Sequence, residues 1–245
     1  MHAAMTTRRR SGQQSQSNGL AVAVRRYFRV TPERGQTADA VTEALREAIL
    51  DGALTPSSWL REDEVAEAFA VSRTPAREAL RRLADEGLAV KTAHHGTVVA
   101  PLSLEDILAL YVVREDLEGL AARLAALRSP SGLVGRLESC QEKMRKVAAR
   151  GDTQRLAQLN LEFHRAIRDA AGNPYLDRFL RQVEHAVRRL PSTSFAEKGR
   201  PEQVLEEHGA VISAVEAGDS DAAERAARDH MRRAREIRLS VLLGS

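Results

Sequence analysis

The sequence has little of what would tie it to a membrane or to an oxidising compartment. It holds one cysteine, Cys140, in 245 residues, which excludes an internal disulfide and any cysteine-built zinc module and accords with a reducing cytoplasm. Aromatic residues make up only 4%. The longest unbroken apolar run, Ile107–Val113, falls far short of the roughly 20 residues a membrane helix needs. The early apolar stretch Leu20–Val24 is too short for a secretion signal, although Arg8, Arg9 and Arg10 precede it. What is present, 43% hydrophobic and 29% charged residues, is the composition of a soluble, helix-rich globular protein. The length fits one large domain or two modest ones.

Charge is nearly balanced, with 37 basic against 34 acidic side chains, but its distribution is uneven. Residues 1–36 carry a net +6, residues 37–100 a net −4 and residues 101–245 a net +1. Any affinity for a polyanion must therefore come from where individual arginines sit, not from total charge.

Residues 1–36, rich in Ser, Gln, Gly, Thr and Arg without sustained periodicity, are predicted to be a mostly disordered basic tail. Helical spacing of Val41, Leu45, Ala48 and Ile49 predicts a helix to Leu50, stopped by Asp51-Gly52. After a break at Pro56-Ser57-Ser58, Val65, Ala66 and Phe69 mark a second helix. Ala70-Val71 is a turn, and Ser72 is a good N-cap for a third helix in which Pro75 is tolerated in the first turn. Gly87 ends that helix, and Leu88–Val90 with Thr97–Val99 read as a two-stranded hairpin. Three helices and a hairpin over residues 37–101 make a winged helix-turn-helix. Beyond Pro101, six helical segments separated by Gly- and Pro-containing breaks predict an all-α bundle over residues 102–242. The fold class is mainly α.

Arg73, Arg77 and Arg81 recur at i, i+4 and i+8, a basic stripe on the third helix. Such a stripe suits a recognition helix whose first residues meet base edges and later ones phosphates; it would equally suit a solvated face paired to nearby carboxylates. The string Val71-Ser72-Arg73-Thr74-Pro75-Ala76-Arg77-Glu78-Ala79-Leu80, with Leu60-Arg61-Glu62 before it and Glu86-Gly87-Leu88 after, resembles the DNA-binding domain of GntR-family transcription regulators. The resemblance covers about residues 38–100. It implies base reading by Arg73 and Arg77, contacts from Ser72, Thr74 and Arg61, and wing contacts from His95, Gly96 and Thr97, with His94 beside them; Arg81 is the phosphate-reaching end of the stripe. It departs at Pro56-Ser57, where the family commonly has Pro-Gly. The carboxylates of the first two helices are expected to face away from the duplex.

In the bundle, the apolar face Ile107, Leu110, Arg114, Leu117, Ala121, Leu124 is interrupted by an arginine. Arg114 must find an anion there: Glu118 one turn on, or the carboxylate of a ligand held bidentately. His164, His208 and His230 fall in three different helices, with Asn160 one turn before His164. Three imidazoles and an oxygen suit zinc or a similar divalent ion, though dispersed histidines are commonly ordinary half-buried residues. Residues 104–240 resemble the FCD ligand-binding domain of FadR-like GntR regulators. The matching segments are Tyr111–Glu115 through Ala126, Asn160–His164 with Ala171-Gly172-Asn173-Pro174, and Glu207-His208 through Ala217-Gly218-Asp219 to His230. In metal-binding members an Asp and a His one turn apart join two later histidines, which corresponds to Asn160, His164, His208 and His230 here. Asn160 replaces the Asp and brings no charge.

The resemblance thus implies a dimeric cytoplasmic regulator, a repressor as is most frequent in the family. It would bind an inverted-repeat operator as a homodimer, and a small organic acid held by Arg114 and a divalent metal, zinc or nickel, would control it. The alternatives are a metal-dependent enzyme acting on a small acid, against which no HExxH-type pair appears, and a regulator whose metal only holds the bundle together.

Overall fold

In the computed structural model, residues 19–28, 36–92, 96–190 and 194–243 are described. The chain divides into two compact units at Leu102/Ser103. The first holds α1 (Thr37–Leu50), β1 (Trp59–Leu60), α2 (Glu62–Ala68), α3 (Arg73–Asp85), β2 (Ala89–Thr92) and β3 (Gly96–Val99). Val41, Leu45 and Ile49 of α1, Val65 of α2 and Leu80 and Leu83 of α3 are buried in one core. The helix-turn-helix pivots on Ala70, whose φ of +53° is left-handed, and Val71 N–H then donates to the Ala66 carbonyl at 2.9 Å. Gly87, at φ +71°, ends α3 in a Schellman arrangement: Leu88 N–H donates to the Leu83 carbonyl at 2.9 Å and Gly87 N–H to that of Ala84 at 3.0 Å.

The wing is a three-stranded antiparallel sheet of order β1-β3-β2, not the two-stranded hairpin expected. Trp59 pairs with Val98 and Leu60 with Thr97, so a two-residue segment too short to show periodicity becomes an edge strand. A second departure lies in the N-terminal region. Residues 19–24 are helical, and Leu20 and Val24, one turn apart, are buried against the first core, with Phe28 edge-on to Phe69 at 4.9 Å. The disordered-tail expectation is therefore corrected for residues 19–28; burial by tertiary contacts stabilises a helix too short to register as periodic. Residues 1–18 and 29–35 lie outside the described residues.

The second unit holds α4 (Leu104–Arg128), α5 (Leu133–Ala148), α6 (Thr153–Ala171), α7 (Pro174–Arg188), a 3-10 turn (Ser194–Ala196), α8 (Arg200–Glu216) and α9 (Ser220–Leu243). A capping box starts α4: Asp106 N–H donates to Ser103 Oγ at 3.0 Å and Ser103 N–H to the Asp106 carboxylate at 2.9 Å. Ala121, Ala122, Ala125 and Ala126 are fully buried, and small side chains let neighbouring helices approach closely. At Gly119 the Arg228 side chain of α9 lies over the helix; a Cβ there would lie 2.6 Å from it. Phe163, Leu156, Leu159 and Ile167 carry the α6 contribution to this core. The buried face of α4 is shifted from the one expected: Tyr111, Glu115 and Glu118 are buried with Ile107 and Arg114, while Leu110, Leu117 and Leu124 are half-buried. No described helix is long and apolar enough to cross a membrane.

Candidate functional site

Two sets of side chains carry chemistry, one in each unit. In the first, Ser72, Arg73, Thr74 and Arg77 are exposed on or beside the N-terminal half of α3, and Arg81 is exposed one turn beyond Arg77. Ser72 occupies the N-cap position, yet its hydroxyl makes no capping bond, contrary to expectation. Its backbone alone enters the helix and the hydroxyl is left for another partner.

Each arginine is held by a carboxylate of this unit. Arg73 Nε lies 2.8 Å from Asp63 Oδ1 and Arg77 pairs with Glu62 at 2.9 Å. Arg81 sits between Glu78 at 2.8 Å and Asp85 at 2.7 Å. Arg61 reaches Glu64 at 3.0 Å and lies over the Trp59 ring. The expectation that the carboxylates of the first two helices face away is thereby corrected for Glu62 and Asp63. They occupy the first turn of α2, where acidic side chains favour the helix dipole, and that turn faces the start of α3. Thr97 departs from the exposed wing position expected: at 5% exposure its side chain is on the inner face of β3. Alternation along the strand leaves Gly96 exposed. His94 and His95 lie outside the described residues.

In the second unit, α6, α8 and α9 bring His164, His208 and His230 together, with one ring nitrogen of each within 4.8 Å of the others. His164 Nε2 and His230 Nε2 are 3.3 Å apart. Carboxylates fix the other nitrogens of these two rings. His164 Nδ1 lies 3.2 Å from Glu118 Oε2, and His230 Nδ1 lies 2.5 Å from Glu207 Oε2. A neutral imidazole that donates from Nδ1 turns its Nε2 lone pair inward, the arrangement that orients histidine ligands around a metal. Glu207 is in turn gripped by Arg200 at 2.8 and 3.0 Å, an ion pair that is almost fully buried. His208 is completely buried and stacks on Phe163 at 3.8 Å, and neither ring nitrogen has a partner. Asn160 Oδ1 is likewise buried and unpartnered. Buried polar atoms are nearly always satisfied, so the two unpartnered nitrogens of His208 within the three-histidine cluster fit a cation held by His164, His208 and His230, and the unpartnered Oδ1 of Asn160, one turn before His164 on α6, is the oxygen the sequence offers beside them.

Electrostatics point the same way. Burial, and then the neighbouring charges of His230, His164 and Arg200, push the His208 pKa well below its usual value. Burial lowers that of His230 to about 4 against the opposing pull of Glu207. Both rings are thus neutral at pH 7, as metal ligation requires. Burial raises the Glu118 pKa, but His164 and Arg114 outweigh it and bring it down to about 2.

Arg114 is 5% exposed, and its Nε lies 3.4 Å from Glu118 Oε1, the one-turn partner considered from the sequence. That contact is long, and the guanidinium makes no other hydrogen bond or ion pair among the described residues. It lines a narrow cleft with Glu118, His164, Arg168, Leu161, Leu180 and Val183, of about 20 Å³. Arg168 and Glu184, on its far wall, were not singled out from the sequence. Arg168 is tied to Asp177 at 3.0 Å and to Glu184 at 2.9 Å, and Arg165 also pairs with Glu184, so three ion pairs fasten α7 to α6 over the cleft. Glu207 and Arg200 were also missed as partners. Their spacing of seven residues, two turns of α8, was the available signal, but only the fold shows that His230 meets them.

Comparison with known proteins matches two stretches of the chain. Residues 37–99 match the family described as bacterial regulatory proteins, gntR family, and residues 109–233 match the FCD domain. A probable D-xylose utilization operon transcriptional repressor from Paenarthrobacter nicotinovorans is 32% identical over 199 residues, 81% of this chain and 87% of that protein. The galactonate operon transcriptional repressor of Escherichia coli strain K12 is 29% identical over 210 residues, 77% of this chain and 91% of that one. The solved structure of E. coli McbR/YncC shares the fold, with a TM-score of 0.67 at 21% identity over 84% of this chain and 98% of that one.

Proposed function

The chain belongs to the gntR family of bacterial regulatory proteins, with an FCD domain, and is a DNA-binding transcription regulator; from that premise we propose that it is a repressor whose hold on its operator is set by a small organic acid bound in the helical domain. Residues 37–101 act as the DNA-binding domain and residues 102–242 as the effector-binding and dimerisation domain. The observation that carries this reading is the free edge of the buried Arg114 guanidinium in a cleft shared with His164, one of the three clustered histidines. The names of the two relatives, repressors of a D-xylose utilization operon and of a galactonate operon, favour an acid from carbohydrate metabolism.

His164, His208, His230 and Asn160 would hold the divalent ion, zinc or nickel. Bound there, it supplies a Lewis-acidic centre for an oxygen of the effector. Asn160 contributes an oxygen but no charge, and the negative charge that balances the ion comes from Glu118 and Glu207 behind His164 and His230. Arg114 takes the carboxylate through its Nη1 and Nη2 hydrogens while Glu118 fixes Nε. A cleft of about 20 Å³ has room for roughly one water, so entry of an acid moves α7 against its ion pairs to α6. That displacement gives the effector a different affinity for two conformations, without which it could not act on DNA binding.

At the DNA, Arg73 and Arg77 read base edges, Ser72, Thr74, Arg81 and Arg61 contact the backbone, and Gly96 lets the wing approach closely. The protein acts as a homodimer on an inverted repeat. Leu104, Leu108 and Val112, exposed at one-turn spacing on α4, offer an apolar face for dimerisation. The test is to select an operator from random duplexes with the full chain, then titrate zinc-loaded protein–DNA complex with organic acids. Release by an acid that leaves Arg114→Ala bound to DNA is expected. Release of both proteins alike would reject Arg114 as the effector residue, and turnover of the acid would favour an enzyme.

A further inference from the structure

Arg77 is gripped along one edge only. Its Nε donates to both oxygens of Glu62 at 3.0 Å, and Nη2 donates to Oε2 at 2.9 Å. A guanidinium carries five N–H donors in one plane. Glu62 therefore engages the Nε hydrogen and one on Nη2, and the outer edge, Nη1 with the second Nη2 hydrogen, stays available. That edge presents two parallel donors, which is what guanine O6 and N7 accept. Arg81, one turn further along α3, differs: Nε and Nη2 go to Glu78 and Nη1 goes to Asp85, so all three of its nitrogens are engaged by its own helix.

The Arg77–Glu62 pair joins α2 to α3 with 68% and 40% of the two side chains exposed. An ion pair that open to water adds little to stability. Its effect is on direction, because a bidentate contact removes the rotamer freedom of a long side chain. We propose that Glu62 is a positioning residue for sequence recognition: it holds Arg77 with its outer edge presented to the bases and keeps it from swinging to the phosphates. This rests on the reading of Arg77 as a base reader. Without Glu62 the arginine would serve any duplex through its phosphates, raising affinity for non-cognate DNA and lowering discrimination.

The test uses the full chain with two duplexes, one selected from a random library by the wild type and one scrambled, and measures both affinities over a salt series. Glu62→Gln is compared with Glu67→Gln, an exposed carboxylate on the same helix that makes no ion pair, so the charge change is identical while Arg77 is untouched. The selected-to-scrambled ratio is expected to fall about tenfold in Glu62→Gln, within the range a bidentate arginine–guanine contact supplies, and to hold in Glu67→Gln. Glu62→Asp keeps the charge that favours the start of α2 but withdraws it by one methylene; it is expected to lose discrimination as well, and serves if Glu62→Gln folds poorly. Equal ratios in Glu62→Gln and Glu67→Gln, with Arg77→Ala losing discrimination, would overturn the positioning role alone. Discrimination retained by Arg77→Ala would overturn the base-reader reading and the positioning role together.

Discussion

Replacing His208 by leucine should make the metal-free protein more stable and the metal-loaded protein less so. His208 is fully buried with both ring nitrogens unpartnered, and a buried polar group without a hydrogen bond costs about 1–3 kcal/mol. Leucine, of similar volume, removes that cost and forfeits the stack on Phe163, worth about 0.5–1.5 kcal/mol. The balance is a gain of about 1 kcal/mol, or about 2–4 °C in the thermal midpoint for a chain of this size. In the wild type, zinc at about 100 times its dissociation constant adds about 2.7 kcal/mol, a rise of about 5–10 °C. The leucine variant, one ligand short, should show almost none of it. Differential scanning fluorimetry of both proteins with EDTA and with zinc gives four midpoints, and the order expected is wild type with EDTA, variant in either buffer, wild type with zinc. Equal zinc shifts in the two proteins would remove His208 from the metal site. A variant several degrees less stable than wild type in EDTA, with no zinc response in either protein, would make the histidine cluster a structural feature of the core.

Other outcomes follow from single groups. Arg114→Ala should leave zinc binding intact and abolish acid-induced release of operator DNA; calorimetry showing unchanged acid affinity would refute it. Ser57, exposed at φ +65°, stands where glycine is at ease, so Ser57→Gly should stabilise the DNA-binding unit by up to about 1 kcal/mol, read by urea denaturation, and a loss would show that the serine hydroxyl matters more than the backbone. Acid should destabilise the metal-free protein in two stages. From pH 6.5 down to about 4 the unfolded chain protonates its histidines while His230 and His208 stay neutral in the fold. From pH 4.5 down to about 2 the unfolded chain protonates carboxylates that Glu118 and Glu207 keep ionised. Urea midpoints at pH 7, 5 and 3 in EDTA should fall in that order, and greater stability at pH 5 than at pH 7 would contradict the histidine directions.

Strongly periodic segments were legible without a structure, and what escaped was short or depended on convergence. The long helices from α4 to α9 could be placed because apolar spacing and Gly, Asn or Pro breaks agree. Leu20 and Val24 escaped because two buried positions in a five-residue stretch make no pattern; their helix exists because the first core receives them. Thr97 looked like a wing contact because it follows a glycine-marked turn, and strand alternation, fixed by pairing with Leu60 and Lys91, turned it inward. Ser57 stands at the position the family fills with glycine and adopts the left-handed conformation that glycine permits, so the departure cost the turn strain rather than its geometry. The three histidines were weak candidates on spacing and became a ligand set only through the resemblance to the FCD domain, whereas Glu207 and Arg200 behind His230 could not be paired with it before α8 and α9 were packed together.

The two sites share a device that composition conceals. Glu62 engages Arg77 through both Nε and Nη2, whereas Glu118 meets only Nε of Arg114, at 3.4 Å, and in both pairs Nη1 is left off the carboxylate. Burial makes the consequences different. Arg77 is open to water, so its pair is screened by salt and yields readily to a competing anion, and a phosphate or a base edge can exchange with it at small cost. Arg114 and Glu118 are both less than a tenth exposed, where an unpaired charge is expensive and an incoming carboxylate gains most from a desolvated partner. An arginine–carboxylate pair thus has opposite consequences in and out of water: the exposed Arg77 pair yields to a phosphate or a base at small cost, whereas on the proposed reading the buried Arg114 rewards an incoming carboxylate most.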